Sequence, residues 1–280
     1  MTPLDFSLAV FGISLLAGVV GSLLGLGGGI IVVPALTLLF GLDIRYAIGA
    51  SIVSVIATSS GAAASYVREH MTNLRVAMLL ELGTTTGALT GAFVAGLIDT
   101  RWLYVVFGVM MGYSALAMLR GRDPETNVEV PPDAWADSLR LHGSYFDKAL
   151  GRTIVYRVTR AKLGLLLMFV AGVVSGLLGI GSGALKVPAM DLAMRLPIKV
   201  STATSNFMIG VTAAASAGVY FVRGDIDPFI AAPVAAGVLF GATAGARLLP
   251  RLQSHSIRLA FVVVLLWVSG EMLWKGVTSR

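Results

Sequence analysis

The chain contains no cysteine, which removes disulfides, cysteine metal sites and cysteine nucleophiles together. Charge is scarce as well: Asp, Glu, Lys and Arg make up 13% of 280 residues, against about 25% in an ordinary soluble domain. Only three histidines occur, His70, His142 and His255, all in loops and without ligand spacing. No metal centre and no cofactor are therefore expected. Alternating ten-residue amphipathic strands are missing, which argues against a membrane β-barrel. Ahead of the first apolar run there is no Lys or Arg, so no cleavable signal is expected.

What the chain has in abundance is apolar surface. The residues AVILMFWYC reach 56% and the mean hydropathy is +0.84. Eight apolar stretches can be drawn, at 6–40, 46–66, 76–98, 102–119, 163–194, 198–222, 228–249 and 257–274. About 20 apolar residues span the hydrocarbon core as a helix, so an all-α polytopic membrane protein is predicted. The first and fifth stretches exceed one crossing, and a glycine cluster interrupts each. Residues 120–162, with Pro124, Pro131 and Pro132, read as a cytoplasmic linker carrying a surface helix around 134–160. The chain thus divides into 1–119, 120–162 and 163–280. The net charge of +6 lies in the loops, as the positive-inside bias requires, and no nucleic-acid-reading motif accompanies it. The partners implied are the lipid bilayer and a small solute, not nucleic acid; a homo-oligomer is left open.

The chain repeats itself. Ala17-Gly-Val-Val recurs as Ala171-Gly-Val-Val, an offset of 154 residues. The same offset carries Leu23-Leu24-Gly25 onto Leu177-Leu178-Gly179 and Val33-Pro34-Ala35 onto Val187-Pro188-Ala189. It also carries Ser51 onto Ser205, Thr58 onto Thr212, Tyr66 onto Tyr220, and Gly83, Gly87 and Gly91 onto Gly237, Gly241 and Gly245. Each half is one copy of a unit: a glycine-broken first helix followed by three transmembrane helices. If the broken segment enters and leaves on one side, each half crosses an odd number of times and the copies are inverted. Placing the linker inside then puts Arg68, Arg75, Arg195, Lys199, Arg247, Arg251 and Arg258 inside, and both termini outside. The positive-inside rule favours that arrangement by a narrow margin.

Gly25-Leu-Gly-Gly-Gly29 and Gly179-Ile-Gly-Ser-Gly183 should unwind the chain within the membrane, since each interior glycine costs a helix about 1 kcal/mol. Unwound backbone at that depth survives only inside protein or beside a wet cavity. The apolar run that restarts would present amides and a positive dipole end to an anion. Paired breaks at matching positions of two repeats point to a transporter's site. The candidates for substrate contact are Gly27, Gly28, Gly29, Pro34 and Ser51, with Gly181, Ser182, Gly183, Lys186, Pro188, Thr204, Ser205 and Asn206. The competing reading, close packing through small residues, fits the four-residue stripes at Gly83, Gly87 and Gly91 and their counterparts. Lys186 stands where the first copy has Val32; a membrane lysine is costly and usually functional. It would offset substrate charge, pair with Asp191 or snorkel to an interface. Glu81, whose counterpart is Ala235, is the candidate for proton coupling. The hydroxyls and amide after each break would replace water around an oxyanion, or cap and join helices.

Through Gly25-Leu-Gly-Gly-Gly-Ile-Ile-Val-Val-Pro-Ala-Leu36 and Gly179-Ile-Gly-Ser-Gly-Ala-Leu-Lys-Val-Pro-Ala-Met190, the chain resembles the TauE/SafE family of sulfite exporter and sulfonate permease type. The resemblance covers the chain outside the linker. It implies a bacterial inner-membrane carrier of a small sulfur-containing anion, sulfite or an organosulfonate, with alternating access around the paired motifs. Ser182, in place of the middle glycine, Lys186 and the long linker depart from the pattern and leave substrate and coupling open. The chain lacks a GxxxxGK[ST] loop, which disfavours ATP-driven transport. A passive anion channel would share the same clusters. An intramembrane enzyme would need a nucleophile with a base at membrane depth, and neither His nor Cys occurs there.

Overall fold

The computed structural model describes residues 2–119, 132–179, 181–249 and 254–278. Linker residues 120–131, with Pro124 and Pro131, lie outside the described residues, as do Arg251 and the side chains of His255 and Arg258.

Helix α1 (Pro3–Leu24) opens on a capping box: the Asp5 amide donates to the Thr2 hydroxyl, and the Thr2 amide donates to the Asp5 carboxylate. Pro3 in the first turn gives up an amide that would have had no partner. The helix closes where Gly25 takes a left-handed φ of 71° and the Leu26 amide returns to the Gly21 carbonyl, a Schellman ending. The chain restarts as α2 (Gly29–Pro34), which widens into a π-helical turn over Ala35–Leu39. Pro34 has no amide to give and its ring crowds the previous turn, which accounts for the widening. Helices α3 (Ile44–Arg68) and α4 (Leu74–Ala95) follow, started by the side chains of Asp43 and Asn73, and then α5 (Thr100–Leu119).

The linker holds a five-residue helix, α6 (Ala134–Ser138), and an antiparallel hairpin of β1 (Gly143–Asp147) and β2 (Arg152–Tyr156). The surface helix expected over 134–160 is therefore only α6; the remainder is the hairpin with its turn and flanking irregular segments. The β-formers of Tyr145-Phe146 and Thr153–Tyr156 flank a turn containing Gly151 at φ 64°, and such segments pair rather than coil.

The second half runs α7 (Ala161–Leu178), α8 (Gly183–Pro188) with a π-helical turn at Ala189–Ala193, α9 (Ile198–Val222), α10 (Pro228–Leu248) and α11 (Ser254–Thr278). Gly179 ends α7 with φ 62°. Helix starts recur at the offset of 154: Gly29 and Gly183, Ile44 and Ile198, Leu74 and Pro228. Helices α1, α3, α4, α7, α9 and α10 are long and apolar enough to cross a membrane. The other two apolar stretches form α5 and α11, which pack on each other, with the Ser269 hydroxyl donating to the Gly108 carbonyl at 2.7 Å.

The halves interlock through small residues. A Cβ at Gly83, Gly87 or Gly91 of α4 would strike the α7 backbone at Leu165, Phe169 or Val173 in turn, so these helices run side by side in one direction. Gly237, Gly241 and Gly245 of α10 meet Phe11, Leu15 and Val19 of α1 in the same manner. At the centre α3 and α9 run in opposite directions: Gly49 abuts Asp225, and the Ser59 hydroxyl reaches the Phe207 carbonyl. Large apolar side chains such as Leu82, Phe93 and Val222 face outward, where a bilayer would cover them.

Candidate functional site

Both glycine turns lie at the centre of the molecule and touch each other. A Cβ on Gly183 would collide with the Gly25 carbonyl and with Leu26 Cα. Val55 of α3 packs on both Gly27 and Gly181, and its repeat counterpart Ile209 of α9 packs on Gly27. Breaking the helices is what permits the approach, because two intact helices keep their axes 8–10 Å apart or so.

Reciprocal hydrogen bonds hold the junction. The Ser51 hydroxyl donates to the Gly179 carbonyl at 2.9 Å, and the Ser205 hydroxyl donates to the Gly25 carbonyl at 2.7 Å. Each serine thus closes the turn of the opposite half. Tyr66 and Tyr220 perform a matched task, their hydroxyls donating to the carbonyls of Ser22 at 2.9 Å and Gly176 at 2.6 Å. Asn206 donates through Nδ2 to the Ser22 carbonyl at 2.7 Å. Its Oδ1 has no hydrogen-bond partner, nor do Thr202 Oγ1 and Ser182 Oγ, although all three are buried. Thr202 backs directly onto Gly25. Buried polar atoms are normally satisfied, so these three mark the surroundings of the turns as able to receive hydrogen bonds.

The predicted residues do not all gather there. Gly27, Gly181, Gly183, Ser51, Ser205 and Asn206 line the junction; Gly28 and Ser182 belong to the two turns but bond within their own halves, Gly28 facing Val238 and Ala17, and Gly29 opens α2 beside it. Pro34 and Pro188 are buried at the far ends of α2 and α8, about 8 Å along the axis, where they set the π-helical turns. Thr204 faces elsewhere: its hydroxyl accepts the Asn73 amide at 3.0 Å in the α3–α4 connection.

The halves differ in how they use equivalent threonines. In the first, the Gly28 amide donates to Thr58 Oγ1 at 3.0 Å. In the second, the matching Ser182 amide donates instead to Ser175 Oγ at 2.8 Å, and Thr212 is released for another purpose. Lys186 Nζ donates to Thr212 Oγ1 at 2.7 Å, and that hydroxyl donates to Glu81 Oε1 at 2.6 Å. The Thr85 hydroxyl donates to the same Oε1 at 2.9 Å. Glu81 Oε2 lies 3.6 Å from Lys186 Nζ and has no hydrogen-bond partner. Lys186 is fully buried. The sequence singles out Glu81 and Lys186 separately, whereas the structure makes them one group spanning α4, α8 and α9. A signal for this was present, since both replace apolar residues of the other half, Ala235 and Val32.

A second buried pair anchors the linker. Asp147 of β1 meets Lys199 of α9 at 2.8 Å, each with a side chain 1% exposed. Burial pushes the Asp147 carboxyl up, but Lys199 and the amides of Ala149 and Leu150 pull it further down, to a net value below the usual carboxylate range. The hairpin is tied also by Asn73 Nδ2, which donates to the Leu141 carbonyl at 2.8 Å and the Tyr156 hydroxyl at 3.0 Å. Among the described residues no group of three or more His, Cys, Asp or Glu stands together to hold a metal.

The chain's similarities to known proteins agree with this geometry. A protein named "Probable membrane transporter protein YunE" from Bacillus subtilis is 30% identical over 95% of this chain and 97% of its own length. A "Probable membrane transporter protein" from Xylella fastidiosa is 28% identical over 94% of each chain. The "Probable membrane transporter protein YdhB", also of Bacillus subtilis, is 26% identical over 83% of this chain and 86% of its own. No solved structure matches the chain. These relatives are membrane transporters by name, the class expected from the residues, and not enzymes. The family model described as "Sulfite exporter TauE/SafE" matches residues 10–272, from within α1 to within α11, and the chain, a multi-pass membrane transporter, belongs to that family.

Proposed function

We propose that the protein is a secondary transporter of a small sulfur-containing anion, sulfite or an organosulfonate, working by alternating access in the bacterial inner membrane. The observation that carries this reading is the contact of the two interrupted segments, Gly183 against Gly25 and Leu26. Irregular backbone at membrane depth stands inside protein or beside a wet pathway, and restarting helices favour negative charge at their first amides. The unsatisfied oxygens of Ser182, Thr202 and Asn206 supply polar groups beside it. Halves of opposite orientation are supported by the packing: the counterparts α3 and α9 run oppositely, while α1 runs with α10 and α7 with α4. Rocking one such half against the other would expose the junction to each side in turn. The linker hairpin then lies on the cytoplasmic side. Sulfite is the anion in the family's name and the first to test.

Purified protein in liposomes is expected to take up radiolabelled sulfite or isethionate saturably, and faster when unlabelled anion waits on the opposite side. Uptake that rises linearly with concentration and ignores trans substrate identifies a passive channel and ends the proposal.

A further inference from the structure

The Glu81–Thr212–Lys186 group is not required by the fold. The repeat-related place, formed by α2, α3 and α10, holds Val32, Thr58 and Ala235, and Thr84 beside the group corresponds to Val238. The same architecture therefore stands there without a carboxylate or an ammonium. Buried ion pairs add little stability over apolar residues of similar size, so the charges of Glu81 and Lys186 serve something other than packing. Their geometry is that of a loosely held pair. Lys186 Nζ makes its short bond to a hydroxyl, at 2.7 Å, whereas Glu81 Oε2 stands 3.6 Å away with no hydrogen-bond partner. Lys186 is in the first turn after Gly183, which rests on Gly25. The backbone of Lys186 is thus one helical turn from the junction of the glycine loops.

Resting on the transporter reading, we propose that Glu81 and the transported anion are alternative counterions for Lys186, and that a proton on Glu81 hands the ammonium to the anion. The charge balance dictates the rest. With Glu81 ionised, the group is neutral, and an incoming monoanion would leave one negative charge unpaired in a low-dielectric interior, which is strongly disfavoured. With a proton on Glu81 Oε2, Lys186 and one monoanion are neutral together. Release on the far side returns the proton to water and Lys186 to Glu81. One proton therefore moves with each singly charged anion, no net charge crosses, and a dianion such as sulfate leaves an unpaired charge in either state. Selectivity for a monoanion follows from there being one ammonium.

The titratable surroundings are sparse. The α7 residues against α4 include Leu165, Phe169, Gly172, Val173 and Gly176, none of them titratable, and from α9 Thr212 meets Glu81. Helix α5, packed on α8, carries Arg101, Tyr104 and Tyr113, of which Tyr104 lies under Lys275. Asp191 follows on the segment of Lys186 itself, and Lys199 is taken by Asp147. Among the described residues, Lys186 is the ion-pair partner of Glu81.

The test uses full-length protein in liposomes with radiolabelled isethionate, whose charge stays at one across the pH range used. An external pH one unit below the internal pH is expected to drive accumulation of about tenfold, the ratio of proton activities, and an imposed potassium diffusion potential should leave that ratio alone. Glu81→Gln, which fixes the neutral form, is expected to reduce the ratio to about one and to remove the pH dependence of exchange. Retained proton-driven accumulation in Glu81→Gln overturns the inference, and so does a ratio that follows the membrane potential. Sulfate should compete at least about tenfold more weakly than unlabelled isethionate; equal competition refutes the charge match. The double variant Glu81→Ala/Lys186→Val copies the residues of the repeat-related place, Ala235 and Val32, and tests folding separately: it should keep its melting temperature and lose uptake, and uptake at the wild-type rate refutes the proposal. Wild-type liposomes that take up neither isethionate nor sulfite instead defeat the transporter reading beneath it.

Discussion

Replacing Asp147 by alanine should free the hairpin from the membrane helices. Lys199 would remain buried with no counterion, and the Tyr145 hydroxyl and the amides of Ala149 and Leu150 would lose the carboxylate they now share. Removing one partner of a buried pair costs about 3–5 kcal/mol. The lower end applies, because the outer face of the hairpin is open to water, with Val155 77% exposed. About 3 kcal/mol raises the open population roughly a hundredfold. Hydrogen exchange of the amides over 143–156, read by mass spectrometry in detergent, measures that population directly. The double variant Asp147→Ala/Lys199→Met should recover most of the protection, since no buried charge is then left alone. The direction with pH follows from the lowered Asp147 value. A carboxyl lowered on folding contributes above its unfolded value, about 3.9, and the contribution is lost as pH falls through the folded value. Protection should thus be flat near neutrality, decline below about pH 4, and show no such decline in Asp147→Ala. Unchanged exchange in Asp147→Ala at neutral pH would refute the reasoning.

Two further outcomes test the packing. Gly87→Ala should lower stability by about 1–3 kcal/mol, because its Cβ meets the Phe169 carbonyl, whereas Gly12→Ala, with nothing within 4 Å, should be neutral or gain up to about 1 kcal/mol; melting temperatures in one detergent compare them. Ser51→Ala should cost about 1–3 kcal/mol by orphaning a buried carbonyl, and its increased hydrogen exchange should appear in the second half, around 175–183, with Ser205→Ala showing the reverse; a response confined to the mutated half contradicts the crossed bonding.

Much of the architecture was legible because it depends on local chemistry and on repetition. Contiguous glycines cannot hold a helix, and α1 and α7 stop at Gly25 and Gly179. The four-residue glycine stripes announce close helix pairs, and α4 meets α7 through them. What escaped was long-range. Glu81 and Lys186 come together only when α4 of one half docks against α8 and α9 of the other, and no spacing within a single helix encodes that register. Thr204 directly precedes Ser205 and Asn206, which reach the first turn and the end of α1, yet its own side chain meets Asn73; a single position of rotation on α9 separates the two fates. The hairpin was hidden because two five-residue strands are too short to show a period against a charged linker.

The crossed serine bonds have a corollary. A polypeptide holding just one unit would own a hydroxyl with no turn to seal and a turn with no hydroxyl to seal it. Such a chain would be complete only beside a second copy of itself, and a substitution at either serine is felt first in the half that does not carry it.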